Sequence, residues 1–201
     1  VVSNPTGQLY NPVSIRNLLQ RLVAEEPYTE ADIFLHNGLW HSFDHHSRFS
    51  SDDIATAIDC INREASAGAT ALREARAIFI TLGSSIAFLR KADGKIVANC
   101  HKLPDNEFER VSLSTTDCVN TLKHILRLIH QVNPDAHVVF TISPIRHTGY
   151  GLEANSLSKA TLRVAVDEVM KQHPGTGYFP AYEIMLDDLR DYRFYASDMK
   201  H

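Results

Sequence analysis

Ala77-Ile78-Phe79-Ile80-Thr81-Leu82, followed at once by Gly83-Ser84-Ser85, is the stretch that decides the fold. Six residues, nearly all apolar and bounded by a glycine, are short for a buried helix and suit a strand. An almost unbroken apolar run belongs to a strand covered on both faces, as in a parallel sheet packed between helices. The spacing predicts a central parallel strand that opens through Gly83 into a functional loop. In such sheets, ligands bind beyond the carboxyl ends of the strands.

On the amino-terminal side, Ile54, Ile58, Ile61 and Ala65 recur at helical spacing, and the helix is expected to run to about Ala75, weakened in its later half by Gly68. Ser50 with Asp53 resembles a capping box at its start. Further upstream, Ile15, Leu18, Leu19 and Leu22 form an apolar helix face between Pro12 and Pro27. Two Asn-Pro turns, at Asn4-Pro5 and Asn11-Pro12, precede it, so Val1-Val2 reads as the tail of a strand. Residues 30–50 carry His36, Trp40, His41, Phe43, His45, His46 and Phe49, and read as a long loop of the kind that bears function.

Downstream, Asp93-Gly94 sits between Ile86 to Leu89 and Lys95 to Ala98, a hairpin signal. Ser114 with Asp117 caps a helix whose core face is Leu122, Ile125, Leu126 and Ile129. His137 to Ile142 is a second strand, ending in Ser143-Pro144. A helix from Asn155 buries Leu162, Val166 and Val169 and stops at Pro174-Gly175. Tyr178 to Tyr182 is the last strand, placed at a sheet edge by Pro180. Helices alternating with apolar strands predict an α/β fold, a three-layer α/β/α sandwich with a mostly parallel sheet.

At 201 residues, with 44% hydrophobic and 22% charged residues, the chain suits one soluble domain. Its formal net charge of -4 and the lack of a basic block argue against nucleic acid as a partner. The apolar runs are far too short to span a bilayer. Cys60, Cys100 and Cys118, odd in number and without a Cys-x-x-Cys pair, read as reduced thiols of a cytoplasmic protein. His41 and His45 have the spacing that serves zinc on a helix, but Phe43-Asp44 speak against a helix and no third ligand is in place. No metal or cofactor is expected.

Three segments reach the carboxyl edge of the expected sheet: Gly83-Ser84-Ser85, Ser143 to His147, and the segment after the last strand. The last holds Asp198-Met199-Lys200-His201, whose spacing lets one turn carry both side chains on one side. A carboxylate there can fix the tautomer of an imidazole that acts as general base toward a serine. A surface Asp and His at the same spacing is the plainer alternative. Trp40, His41, Asn99, His101 and His147 are candidate cleft-lining residues, or histidines and neighbours satisfied by local hydrogen bonds.

Four strings carry a resemblance: Asn4-Pro-Thr-Gly-Gln-Leu-Tyr-Asn-Pro12, Asn99-Cys-His-Lys102, Ser143-Pro-Ile-Arg-His147, and Tyr178-Phe-Pro-Ala-Tyr-Glu-Ile-Met-Leu-Asp-Asp-Leu-Arg-Asp-Tyr-Arg-Phe-Tyr-Ala-Ser-Asp-Met-Lys-His201. Together they resemble the GSCFA family, which is similar to the SGNH hydrolases. The resemblance implies a flavodoxin-like sandwich in which Asp198 and His201 are the orienting acid and the base of a Ser-His-Asp arrangement. It also implies an ester hydrolase acting on small acyl esters or acylated carbohydrate. An acyltransferase, or a non-catalytic module binding a glycan or metabolite, shares those residues.

The Gly-Ser-Cys-Phe-Ala string that names the family is absent from these 201 residues. The chain is therefore expected to be a single domain, residues 1–201, cut at both ends. Its amino-terminal strand, helix and serine nucleophile are expected upstream of Val1, leaving the piece inactive by itself. Ser84 is the alternative nucleophile. The favoured expectation gives Gly83, Ser84 and Ser85 the part of an oxyanion loop, with Ser85 where the SGNH pattern has Asn.

Overall fold

The computed structural model describes residues 2–201. It is an α/β fold with a parallel sheet flanked by helices, in keeping with the sandwich expected. The elements are α1 (Pro12–Ala24), β1 (Ile33–His36), β2 (Leu39–Ser42), α2 (Ile54–Glu74), β3 (Ala77–Leu82), β4 (Ile86–Arg90), β5 (Lys95–Val97), β6 (Phe108–Ser112), α3 (Thr115–Val132), β7 (His137–Ile142), α4 (Leu152–Gln172), β8 (Thr176–Phe179) and the single turn α5 (Ala181–Glu183).

The principal sheet has the order β3-β7-β8, all parallel, with Ile80 beside Phe140 and Phe140 beside Tyr178. Ile80, Leu82, Val138, Phe140 and Ile142 point into one core, closed by Leu19 and Leu22 of α1, Leu122 to Ile129 of α3, and Leu162 to Val169 of α4. Each such fully buried aliphatic side chain contributes roughly 1.5–3 kcal/mol. Alternate residues of β3 face the other way, and Phe79 on that side is 64% exposed. So β3 is apolar on both faces as read, yet among the described residues it pairs only with β7 and stands at one end of the sheet.

Several boundaries differ from expectation, each for a local reason. Residues 33–42 form an antiparallel hairpin, not a loop. Asn37 and Gly38 lie between its strands at φ 50 and 77, the left-handed pair that a tight two-residue hairpin turn requires. Helix α2 is capped by Asp53, whose carboxylate accepts from Thr56 N–H at 2.8 Å; Ser50 instead binds His41. Helix α4 starts at Leu152, because Asn155 is engaged by His147 N–H at 2.9 Å. Strand β8 ends at Phe179, before Pro180, and the chain turns helical at Ala181. Val2 is not in a strand, and Val1 lies outside the described residues.

The Asp93-Gly94 hairpin is present as β4 and β5, and β6 joins it to give a small antiparallel sheet in the order β5-β4-β6. The Ser114–Asp117 capping box is present with both reciprocal bonds. Among the described residues, no helix is long and apolar enough to cross a membrane.

Candidate functional site at the carboxyl ends of β3 and β7

The exit of β3 is held from two sides. Gly83 and Ser84 N–H both donate to Tyr10 O, each at 2.8 Å, which ties the loop to the residue just before the cap of α1. Gly83 fits because a Cβ there would lie 3.1–3.3 Å from Tyr10 atoms, tighter than ordinary contact. From the other side, Ser158 Oγ of α4 accepts from Ser85 N–H at 2.7 Å and lies 3.1 Å from Ser84 Oγ. Ser84 Oγ also accepts from Ile86 N–H at 2.9 Å.

Ser84 is therefore buried and bonded within the fold, a poor position for a nucleophile. The three loop N–H groups are likewise spent internally. Of the two serine hydroxyls in this loop, only that of Ser84 has a hydrogen-bond partner among the described residues.

Next to Ser158 lies Lys159, 2% exposed and without a carboxylate partner among the described residues. Its ammonium donates to Gly83 O at 2.6 Å and to Ser143 O at 2.7 Å, so it bridges the carboxyl ends of the two neighbouring strands. Burial pulls its pKa from 10.5 down to about 8. The sequence holds a signal for this residue: Lys159 falls three residues before Leu162 and seven before Val166, inside the apolar stripe of α4. A lysine in such a stripe must find oxygen acceptors, because an unpaired buried ammonium is costly.

The Asp198–His201 turn docks on the loop leaving β7. Arg146 N–H donates to Lys200 O at 3.0 Å and its guanidinium to Met199 O at 3.1 Å. Met199 takes a left-handed conformation, φ 57, which folds the segment back on itself. Asp198 Oδ1 accepts from Lys200 N–H at 2.9 Å and His201 N–H at 3.1 Å, while Oδ2 engages His201 Nδ1. The backbone bond from Lys200, then the side-chain and backbone bonds from His201, hold the Asp198 carboxyl at about 2, so it stays an anion near neutral pH. With Nδ1 donating to the carboxylate, Nε2 is the nitrogen left to accept a proton.

His147 connects the two parts. It sits in the same loop, its ring edge-on to Tyr10 with centroids 5.4 Å apart, and its Nε2 is buried without a partner. Burial, then the charges of Lys159 and His201, push its pKa to about 4. The imidazole beside the catalytic candidates is thus neutral at ordinary pH.

The candidate histidines His41 and His101 are bonded within the fold. His41 Nδ1 meets Ser50 Oγ at 2.6 Å and its Nε2 meets His36 O at 3.2 Å. His101 Nε2 meets Ser42 O at 2.7 Å, and Asn99 Oδ1 accepts from His101 N–H at 2.9 Å. Trp40 pairs through its backbone with Ser51 and packs against the small core of Tyr28, Ile33, Phe49 and Ile61. These bonds join Trp40, His41, Asn99 and His101 to the 42–51 segment, and none reaches the His201 turn. Among the described residues, no group of three metal-ligating side chains converges. Burial raises the Cys118 thiol to about 12 and the Cys100 thiol to about 11, which removes both as nucleophiles near neutral pH.

Compared with known proteins, residues 1–201 match the model of the GSCFA family over their whole length. No curated protein and no solved structure gives a significant match.

Proposed function

The chain belongs to the GSCFA family, and from that premise we propose that it forms the base-bearing part of a serine ester hydrolase of the SGNH type. The observation that carries the reading is the turn in which Asp198 engages His201 Nδ1 and leaves Nε2 open. The acting serine in this reading is that of the family's Gly-Ser-Cys-Phe-Ala string, which these 201 residues do not contain.

The serine hydroxyl attacks the acyl carbonyl and passes its proton to Nε2. The imidazolium, steadied by Asp198, returns that proton to the departing alkoxide. Water, deprotonated by the same nitrogen, then releases the acid and regenerates the serine. Developing negative charge on the carbonyl oxygen is met by the Ser85 hydroxyl, with the buried ammonium of Lys159 behind it. Substrates are small acyl esters or acylated carbohydrate. The three unpaired thiols suit a cytoplasmic setting.

The test is labelling of the complete reading-frame product with a fluorophosphonate probe, beside turnover of p-nitrophenyl acetate. Labelling and turnover that both disappear in His201→Ala, with the fold intact, are expected. A folded product that never labels refutes the serine mechanism. Unchanged ligand binding and function in His201→Ala support a non-catalytic module.

A further inference from the structure

Away from the Asp198–His201 turn, a cavity of about 720 Å³ lies between α1 and the two hairpins. One wall is a single face of α1: Val13, Arg16, Asn17, Gln20 and Arg21 recur at helical spacing, with Ile15, Leu19 and Leu22 turned the other way into the core. The facing walls come from Ile33 and Phe34 of β1, Phe43 and Asp44 just after β2, and Arg90 and Gly94 to Val97 of the β4–β5 hairpin.

The charges in these walls divide into spent and unspent groups. Arg21 is committed to Asp32 through two bonds of 2.9 Å and stacks on Tyr28 at 4.0 Å. Arg90 is committed to Asp93 and stacks on Phe43 at 4.2 Å. Arg16 has no carboxylate partner among the described residues; its guanidinium only meets Asn17 Oδ1, at 2.6 and 3.2 Å. Among the described residues, the amide nitrogens of Asn17 and Gln20, on the same face, donate to nothing.

Opposite them, the Asp44 carboxyl accepts no hydrogen bond among the described residues. Burial raises its pKa above the usual carboxylate range, and its oxygens are open to accept from hydroxyl donors. Glu26 is the remaining acid of the lining. Asp32 is neutralised by Arg21, and the exposed Lys95 ammonium lies 4.0 Å from Asp93. The wall therefore presents an unmatched guanidinium, two free amides and the carboxyls of Asp44 and Glu26, set among Val13, Ile96 and Val97.

We propose that this cavity binds a hydroxylated organic anion of the sugar-acid class, its carboxylate on Arg16 and its hydroxyls on Asn17, Gln20 and Asp44. Planar guanidinium matches carboxylate through paired N–H donors, whereas the amides and the Asp44 carboxyl match hydroxyl groups. An apolar acid would leave Asp44 unpaired, and a neutral sugar would leave Arg16 unpaired, each at a desolvation cost. The cavity takes no residue from the Asp198–His201 turn, so this inference stands or falls apart from the hydrolase reading.

Titration calorimetry at low ionic strength tests it with D-glucuronate, D-glucose and hexanoate as probes. Saturable one-to-one binding of glucuronate is expected, with glucose and hexanoate each about tenfold weaker or more. Arg16→Gln is expected to weaken glucuronate about tenfold or more, Arg16→Lys less, and Asp44→Asn severalfold, each with unchanged melting behaviour. Arg16 and Asp44 are surface-reaching positions outside the main core, and the conservative Arg16→Lys keeps the comparison informative if the glutamine variant is unstable. Absence of saturable glucuronate binding overturns the proposal, as does full affinity in Arg16→Gln. Equal affinity for glucuronate and glucose overturns the anion assignment, and equal affinity for hexanoate overturns the hydroxyl assignment.

Discussion

Lys159→Met probes the buried ammonium that spans the ends of β3 and β7. In the folded chain its pKa is lowered from 10.5 to about 8 by burial. Between those two values the unfolded chain holds a proton on this lysine and the folded chain does not. Stability therefore rises with pH across that window, and is independent of this group below about 8, where both forms are charged. At about 1.4 kcal/mol per pH unit, the whole displacement amounts to about 3 kcal/mol. Lys159 is 2% exposed, so solvent screening takes little from that figure.

Urea unfolding of wild type and Lys159→Met from pH 7 to 10.5 reads the effect as a difference. The raised thiols of Cys100 and Cys118 work in the opposite direction, but they are common to both proteins and cancel. With a denaturant slope of about 2–3 kcal/mol per molar, the wild-type midpoint should gain about 1 M on the variant between pH 8 and 10.5. A constant difference over that range refutes the reasoning, because it means the ammonium is not held out of water between Gly83 O and Ser143 O.

Three further outcomes are expected. Asp198→Asn in the complete reading-frame product should lower ester turnover about 10⁴-fold while the fold survives, since the amide no longer fixes the His201 tautomer; steady-state kinetics with p-nitrophenyl acetate checks it. Buried His45, whose pKa burial pushes to about 3, should make the chain lose stability as pH falls below about 6.5, because only the unfolded state takes up that proton. His45→Phe, packed between the rings of Tyr28 and Phe49, should flatten that loss in urea midpoints at pH 7 and 5. Gly7→Ala should cost about 2 kcal/mol or more in thermal unfolding, because φ is +90 there and the added methyl collides with His46 Cβ.

The chain's own letters were enough for much of this architecture. The apolar runs of β3 and β7, the stripe of α3 and the Asp198-x-x-His201 spacing are local patterns, and local patterns survive folding because neighbouring residues supply their own geometry. The Asn37-Gly38 turn was equally legible and was masked by the histidines and aromatics around it; two left-handed residues between short strands are a hairpin regardless of the side chains they carry. Helix starts were harder, since Ser50 and Asn155 are good caps in isolation and tertiary partners claimed their side chains first.

What only the tertiary structure decided is which polar groups are spent. Sequence made Ser84 a possible nucleophile and Gly83-Ser84-Ser85 an oxyanion loop. The fold shows that Tyr10 and Ser158 absorb the three N–H groups of that loop, while Ser158 and Ile86 engage the Ser84 hydroxyl. The apolar stripe around Lys159 signals only that its ammonium needs oxygen acceptors, and the fold supplies them as two strand-end carbonyls. A hydrogen bond across 76 residues leaves no trace in local spacing, because the donor and acceptor are chosen by packing of α4 onto the sheet and not by their neighbours in the chain.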